Sequence, residues 1–522
     1  MVSRWPRYSL VLLFALVLGA WLRFDGLGSL GLSHWDEGAF TSGALGVKRY
    51  GTLSTLFLYG PPLFPGLIRL AFDLLGTRSS VAIGISAFAG ALTLPVFFFV
   101  ARLFVPVREA ITAVLLLAVC EYHLIYSRMA LSDALFLLVF VVALGVILRT
   151  LRARSRSGAV LAGVATGVAL LIKYHGFLAL AVGALVHLLA PAGASSESRP
   201  WRSRLRDLSA AGPWVGLGLL PFLALLLLVI LETTELRDFV EHRRRWMAPL
   251  DLAVMLGNLG AAARYLGYWV SPVVLAAALW GLLLALGRGG AARGAVIWFI
   301  GYAALVPFYK SFPRLLLPLV PPLLLLAASG LADLGLHLSR VVSRRLPQVA
   351  GVVFLAAIAA ISSYELSRQS LAFRNTGYEQ AARKLREYCE PQTRCLLLTQ
   401  PCILFYMHDV PGTFWIYAHS DIPQALWHLQ NGEFDLLVTD HRVLYNEPIR
   451  SYLREHAFEL ELLERLPNQL RDATLLNTLS FDRVALARTD ASSAEAEACS
   501  TIRIFRGPGR RGTGSEPGKA SR

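Results

Sequence analysis

Long apolar runs alternate with short basic clusters through the first 365 residues of the chain. A bilayer core requires about 20 apolar residues per helix, with about 17 as the lower limit. Apolar runs near this length predict about eleven transmembrane helices, and the two runs around Lys173 are short. Their expected bounds are 8–24, 79–101, 110–127, 133–149, 158–172, 176–190, 212–231, 270–287, 295–309, 314–333 and 348–364.

The first run, Tyr8 to Phe24, follows Arg4 and Arg7 and has two interpretations. A secretory signal peptide also begins with basic residues and an apolar stretch. This run is long for a signal peptide, and no small-residue cleavage site follows it. We therefore expect a retained membrane anchor.

Arginines occupy alternate loops between the predicted spans. They are Arg4 and Arg7; Arg102 and Arg108; Arg149, Arg152, Arg154 and Arg156; Arg199, Arg202, Arg204 and Arg206; Arg288 and Arg293; and Arg340, Arg344 and Arg345. Because basic loops stay on the cytoplasmic side, the pattern predicts a multi-pass protein of the cell (inner) membrane with a cytoplasmic N-terminus. An odd number of spans then places residues 365–522 outside the cytoplasm.

After residue 364 the pattern of apolar and polar residues becomes that of a soluble α/β domain. Gly377 to Tyr388 has the pattern of an amphipathic helix, and Asp421 to Gln430 that of a helix capped by aspartate. The runs 396–398 and 436–438 predict short buried strands. From residue 492 the composition predicts disorder. The expected organisation is an all-α polytopic membrane domain at 1–364, a small soluble α/β domain at 365–491 and a disordered tail at 492–522.

Composition supports this picture and excludes one class of partner. The 522 residues are 55% hydrophobic and 16% charged, with a net charge of +15. Soluble proteins carry about 25% charged residues. The basic residues lie between apolar spans and not along one helical face, so we expect no nucleic-acid binding. The five cysteines form no C-x-x-C pair, and Cys389 and Cys395 are compatible with either a disulfide or free thiols.

Mixed acids, bases and imidazoles gather at the predicted outer ends of the spans. They are Asp36, Glu37, Arg128, Asp133, Lys173, His175, Lys310 and Arg314. Charged groups near the hydrocarbon boundary are costly and usually functional. Simpler interpretations exist: Lys173 can extend to the headgroups, Asp133 can cap a helix, and Asp36 and Glu37 can be ordinary loop acids. Because several loops contribute such side chains to the same face, we favour a functional site over these simpler interpretations.

The sequence also limits which donor such a site can use. Gly26 to Gly31 matches G-x-G-x-x-G, but it follows a predicted span and not a strand, and no Walker motif occurs. Nucleotide-activated donors are cytosolic, so an outward-facing enzyme needs an activated group carried by the membrane. A lipid phosphate donor requires cations for its phosphate and a carboxylate to deprotonate an acceptor hydroxyl.

Five motifs occur in order along residues 5–335. They are His34-Trp35-Asp36-Glu37, Tyr59-Gly60-Pro61-Pro62-Leu63-Phe64, Tyr126 to Asp133, Leu171 to Gly176, and Phe312 to Pro318. This set resembles the lipid-carrier-dependent glycosyltransferases with the GT-C fold, including protein O-mannosyltransferases, aminoarabinose transferases and RgtA-like transferases. One departure is Tyr59-Gly60, where related aminoarabinose transferases have Glu-Lys. The glutamate of a metal or phosphate site built there is therefore absent from this motif.

The resemblance implies a role for each matching residue. Asp36 would be the catalytic carboxylate, with Glu37 beside it binding donor or acceptor. Arg128 and Asp133 would shape the sugar or phosphate site, with Lys173 and His175 of the fourth motif also binding substrate. Lys310 and Arg314 would meet the lipid phosphate. The donor would be a polyprenyl-phosphate sugar and the acceptor a glycan, lipid or protein, with inversion at the anomeric carbon. The resemblance leaves open whether a divalent metal ion is needed.

Two other functions compete with this one. A lipid or solute transporter would explain the many spans, but it predicts repeats and charges at mid-bilayer. We find no repeat, and the polar groups cluster at one end. An outward-facing oligosaccharide polymerase or ligase is the second alternative, and it differs from the glycosyltransferase in transferring an oligosaccharide from a diphosphate carrier.

Overall fold

The chain folds into two units, each assembled from two separate segments. A computed structural model of the chain describes residues 5–46, 60–190, 200–233, 240, 244, 247–288, 292–309, 312–342, 348–417, 422–476, 484 and 494–508. Unit 1 consists of Met1–Gly28 and Phe57–Phe373. Unit 2 consists of Ser29–Leu56 and Arg374–Arg522.

Helices dominate the chain up to residue 372. In order they are α1 (Trp5–Phe24), α2 (Trp35–Ala44), α3 (Leu63–Leu75), α4 (Ser79–Ala101), α5 (Val107–Val119), α6 (Glu121–Ser127), α7 (Ser132–Ala153), α8 (Arg156–Ile172), α9 (Leu178–Leu189), α10 (Trp201–Thr233), α11 (Leu252–Trp269), α12 (Pro272–Arg288), α13 (Arg293–Ala303), α14 (Val320–Val342) and α15 (Gln348–Ala372).

Strands and short helices alternate after residue 373. They are α16 (Gly377–Tyr388), β1 (Arg394–Leu398), α17 (Cys402–Tyr406), β2 (Thr413–Ile416), α18 (Ile422–Asn431), β3 (Leu436–Thr439), α19 (Glu447–Glu455), β4 (Glu461–Pro467), α20 (Asp472–Leu475), α21 (Ala494–Ser500) and β5 (Thr501–Arg506). Together with unit 1, this confirms the predicted fold class, an all-α membrane domain followed by a small α/β domain.

The apolar helices of unit 1 lie where the hydropathy pattern predicts them. Within the described ranges, six helices are long and apolar enough to cross a bilayer, and the pair α5 and α6 qualifies together with a 55° bend. Four shorter apolar helices occupy the predicted spans 158–172, 176–190, 270–287 and 295–309. The structure adds α11, which the sequence assigns to an outer loop. Asp251 caps it, because its Oδ1 accepts the backbone N–H of Ala253 at 2.8 Å.

A buried arginine satisfies the backbone groups freed at the bend between α5 and α6. The break leaves carbonyl groups without helical partners, and such groups are costly in an apolar environment. Arg23 is 0% exposed. Its guanidinium donates to the carbonyls of Leu117 and Ala118, each at 3.1 Å, and lies 2.6 Å from His123 Nδ1. The sequence analysis did not identify Arg23, whose position inside an apolar run is its only signal.

Helices α12 and α14 approach closely through glycines. A methyl group at Gly281 would overlap the Leu326 carbonyl oxygen, and one at Gly330 would overlap the Ala277 carbonyl oxygen. Small residues permit such contacts between membrane helices, where close packing replaces the hydrophobic effect.

Gly281→Ala is therefore expected to destabilise unit 1 by about 1–3 kcal/mol, the usual cost of overpacking. Gly287 on the same helix has nothing within 4 Å of an added methyl group, so Gly287→Ala is the matched control. Thermal unfolding of the two purified variants in detergent would test this. Equal midpoints for both variants would contradict the close approach.

Unit 2 contains a five-stranded sheet with the order β2-β1-β3-β5-β4. Strand β1 runs parallel to β2 and β3, whereas β5 pairs antiparallel with β3 and β4. The predicted helix Gly377–Tyr388, the helix that follows Asp421 and both buried strands are confirmed. Asp421 itself lies outside the described residues.

The structure corrects the predicted disorder from residue 492 and the predicted domain boundaries. Residues 494–506 form α21 and β5, because Ile502 and Ile504 alternate inward and are 0% exposed. Residues 509–522 lie outside the described chain.

Helix α15 continues beyond residue 364 because Ser367 Oγ donates to the Val119 carbonyl at 2.9 Å and Ser370 Oγ to Glu121 at 2.7 Å. Residues 29–46, assigned by sequence to the membrane domain, belong to unit 2.

Cys389 and Cys395 are free thiols whose sulfur atoms lie 3.8 Å apart. A hydrogen bond from Cys395 lowers the pKa of the Cys389 thiol below its ordinary value. We expect a mild oxidant to join the two, faster as pH rises, because the thiolate of Cys389 is the attacking form. Counting free thiols by mass tagging checks this, with Cys389→Ser as the control. An oxidised wild type that keeps both thiols would rule the bridge out.

Candidate active site

The first motif forms the start of helix α2, and its side chains build a cap. His34 is the N-cap residue, and its Nδ1 accepts the backbone N–H of Asp36 at 3.1 Å. The Glu37 carboxylate accepts the backbone N–H groups of Ser33 and His34, each at 2.9 Å. This reciprocal arrangement is a capping box. Glu37 therefore has a structural role in fixing the turn that carries Asp36, and both acids are 1% exposed.

Helix α2 packs on helix α17 of the same unit. A methyl group at Gly38 would overlap the backbone of Cys402. The Cys402 thiol donates to the His34 carbonyl at 3.1 Å, and the Leu32 N–H donates to the Tyr406 hydroxyl at 3.1 Å. The two pairs are separated by 368 and 374 residues along the chain, which is why the sequence does not reveal that the turn of Asp36 is anchored in unit 2.

The third and fourth motifs meet through an ion pair in unit 1. Lys173 Nζ lies 2.5 Å from Asp133 Oδ1. The side chains are 11% and 1% exposed. Leu131, not Asp133, is the N-cap of α7, and Lys173 does not stand as a lone cation. The structure thus disagrees with both simpler interpretations and brings together two residues that the sequence predicts for the site.

Aromatic side chains link this ion pair to the last motif. The His175 ring lies edge-on to Phe136, with centroids 4.7 Å apart, and 6.5 Å from Tyr302. The hydroxyls of two tyrosines, Tyr122 and Tyr302, then reach the last motif.

Those two hydroxyls hold the turn that carries Arg314. Tyr122 donates to the Pro313 carbonyl, and Tyr302 donates to the Leu315 carbonyl at 3.1 Å. Arg314 therefore lies on a fixed turn, Pro313–Leu319, which packs against helix α7, the helix that carries Asp133. The tyrosines were missed by the sequence analysis, since no motif marks them.

Arg128 occupies a different position within unit 1. It is 2% exposed, and its Nη1 donates to the carbonyls of Leu22 at 2.9 Å and Asp25 at 2.7 Å. Arg128 thereby caps the C-terminal end of α1 by donating to its free carbonyl groups. The segment after α1 leads into the first motif. Lys310 and Tyr59 lie outside the described residues. Within the described ranges, no three His, Cys, Asp or Glu side chains are grouped to hold a metal ion.

Comparison with known proteins identifies the fold. Residues 59–202 match the family described as dolichyl-phosphate-mannose-protein mannosyltransferase. No curated protein matches the sequence. The crystal structure of ArnT from Cupriavidus metallidurans in the apo state has a TM-score of 0.58 and 17% identity, over 88% of this chain and 96% of that one. The same protein bound to undecaprenyl phosphate has a TM-score of 0.54 and 17% identity, over 97% and 98%.

A second solved protein shares the same fold. The apo oligosaccharyltransferase of Archaeoglobus fulgidus has a TM-score of 0.59 and 15% identity, over 97% of this chain and 89% of that one. At such low identities the shared feature is the fold, and it extends over nearly the whole chain. The chain is therefore a polytopic membrane protein with the GT-C fold of lipid-carrier-dependent glycosyltransferases, which confirms the resemblance found in its sequence motifs.

Proposed function

We propose that the chain is a membrane glycosyltransferase that moves a sugar from a polyprenyl-phosphate donor to an extracytoplasmic acceptor with inversion. The observation that carries the proposal is the burial of the charged motif residues within this fold. Asp36, Arg128 and Asp133 are each no more than 2% exposed. Burying charge is costly, so charges retained in this way point to function. The ArnT structure that holds undecaprenyl phosphate supports a lipid-phosphate donor.

The proposed reaction needs one base and several cations. Asp36 takes the proton of the acceptor hydroxyl while that oxygen attacks the anomeric carbon. The bond between the anomeric carbon and the phosphate oxygen breaks, and the lipid phosphate leaves with the electron pair. Arg314, and Lys310 by the resemblance, stabilise the phosphate charge. Lys173 and Asp133 bind the sugar or phosphate beside His175, and Arg128 and Glu37 hold the segments around the site.

The proposed acceptor lies outside the cytoplasm. The alternating basic loops favour a cytoplasmic N-terminus and an extracytoplasmic unit 2, so a glycan, lipid or protein outside the cytoplasm is the proposed acceptor. An oligosaccharide polymerase or ligase would use the same face, and the two functions differ in the donor that the protein binds.

Mass spectrometry of lipid that co-purifies with the chain tests the proposal. We expect a polyprenyl phosphate or its monosaccharide ester, bound equally by the wild type and by Asp36→Asn. A diphosphate-linked oligosaccharide would instead favour the polymerase or ligase. Only bulk phospholipid, in both proteins, would contradict the proposed donor.

A further inference from the structure

The carboxyl ends of the parallel strands β1 and β3 carry a buried polar cluster in unit 2. Asp440, which follows β3, is 5% exposed. Its Oδ2 accepts the hydroxyl of Tyr378 at 2.7 Å and that of Thr399 at 2.5 Å. The same oxygen accepts the backbone N–H of Gln400 at 3.1 Å. Asp440 thus ties the two strand ends together and fixes the turn after β3.

That turn directs Arg442 at the first motif. The Arg442 backbone N–H donates to Asp440 Oδ1 at 2.8 Å. Its guanidinium carbon lies 3.7 Å from the centroid of the Trp35 ring, and the arginine is 8% exposed. A guanidinium stacked on an indole is attractive, and more so when water is excluded. Trp35 directly precedes Asp36 and is the first residue of α2.

We propose that Arg442 is a positioning residue that holds Asp36 in place by stacking on Trp35. The inference rests on the proposed catalytic role of Asp36. The hydrogen bond from Cys402 to the His34 carbonyl holds the same turn. Loss of the Arg442 side chain would therefore loosen the first turn of α2 and leave the sheet and the rest of unit 2 folded.

Cys402 provides a reporter of that turn which does not depend on activity. It is 0% exposed and donates to the His34 carbonyl. Burial and the nearby Glu37 carboxylate raise the pKa of its thiol well above the ordinary value. Maleimides react with thiolates, so Cys402 should be labelled only when the His34 turn moves away and exposes the thiol to water. Cys499, 4% exposed in the same unit, reports on general unfolding.

The experiment follows maleimide labelling of each cysteine in the purified 522-residue chain in detergent, by peptide mass spectrometry. Arg442→Ala is expected to raise the Cys402 labelling rate about tenfold, the scale of a desolvated cation–π contact, with Cys499 unchanged. The kcat for sugar transfer should fall about tenfold while the KM for the donor is kept. Arg442→Lys should recover part of both effects. Arg454→Ala, at an exposed position of α19, is the matched control.

A double variant tests whether Arg442 acts through Trp35. Trp35→Leu alone should reproduce the Arg442→Ala phenotype, and combining the two should add nothing further. Additive effects would overturn the inference. So would an unchanged Cys402 rate in Arg442→Ala, or equal increases at Cys402 and Cys499. Full activity of Asp36→Asn would refute the proposed function and leave the labelling result standing, so the two failures are distinguishable.

Discussion

Replacing Asp36 with asparagine is expected to reduce the rate of sugar transfer by at least about a hundredfold, the scale of one general base. The amide keeps the shape of the carboxylate and removes its basicity. The backbone N–H of Asp36 that bonds to His34 is unaffected, so the start of α2 should remain intact. Steady-state transfer of sugar from the purified lipid donor measures the effect, and co-purified lipid shows whether binding survives.

Glu37→Gln is the matched control for this substitution. The glutamine side-chain oxygen can still accept the backbone N–H groups of Ser33 and His34, so the capping box weakens and does not vanish. We expect a milder loss than for Asp36→Asn. If Glu37→Gln were the more damaging of the two, the base would have been assigned to the wrong carboxylate.

The transmembrane spans were predictable because their cause is local. Within lipid, every backbone polar group must be satisfied inside its own segment, so length and hydropathy alone mark a helix. Ser79–Ala101 has the same bounds in the sequence-based prediction and in the structure. Helix α11 was missed because Asn258 and Arg264 interrupt its apolar run.

The arrangement of the site depends on contacts that a single sequence does not encode locally. Asp133 and Lys173 were each predicted, but their pairing comes from the packing of two helices. Asp36 was assigned to the membrane domain, whereas partners such as Cys402 and Tyr406 place it in unit 2. Strand β5 was missed because the Ala/Ser/Glu-rich segment before it hides the alternation of Ile502 and Ile504.

Arg314 is the second residue whose loss should be severe. In the proposed reaction its guanidinium stabilises the negative charge that develops on the departing lipid phosphate, and removal of one such donor costs about a hundredfold or more in rate. Arg314→Met preserves much of the side-chain volume and removes the charge. We expect kcat/KM for the lipid donor to fall about a hundredfold, with less lipid phosphate co-purifying.

The controls for Arg314 separate charge, geometry and fold. Arg314→Lys keeps the charge but not the planar fork that matches a phosphate, so it should lie between the wild type and Arg314→Met. Arg206→Met, at an exposed position of the same unit, should leave activity unchanged. Tyr302→Phe removes the hydroxyl that holds the Leu315 carbonyl, so it should reproduce a smaller part of the loss. Wild-type activity in Arg314→Met would remove Arg314 from the phosphate site, and an equal loss in Arg206→Met would mean that the assay reports the fold instead of the chemistry.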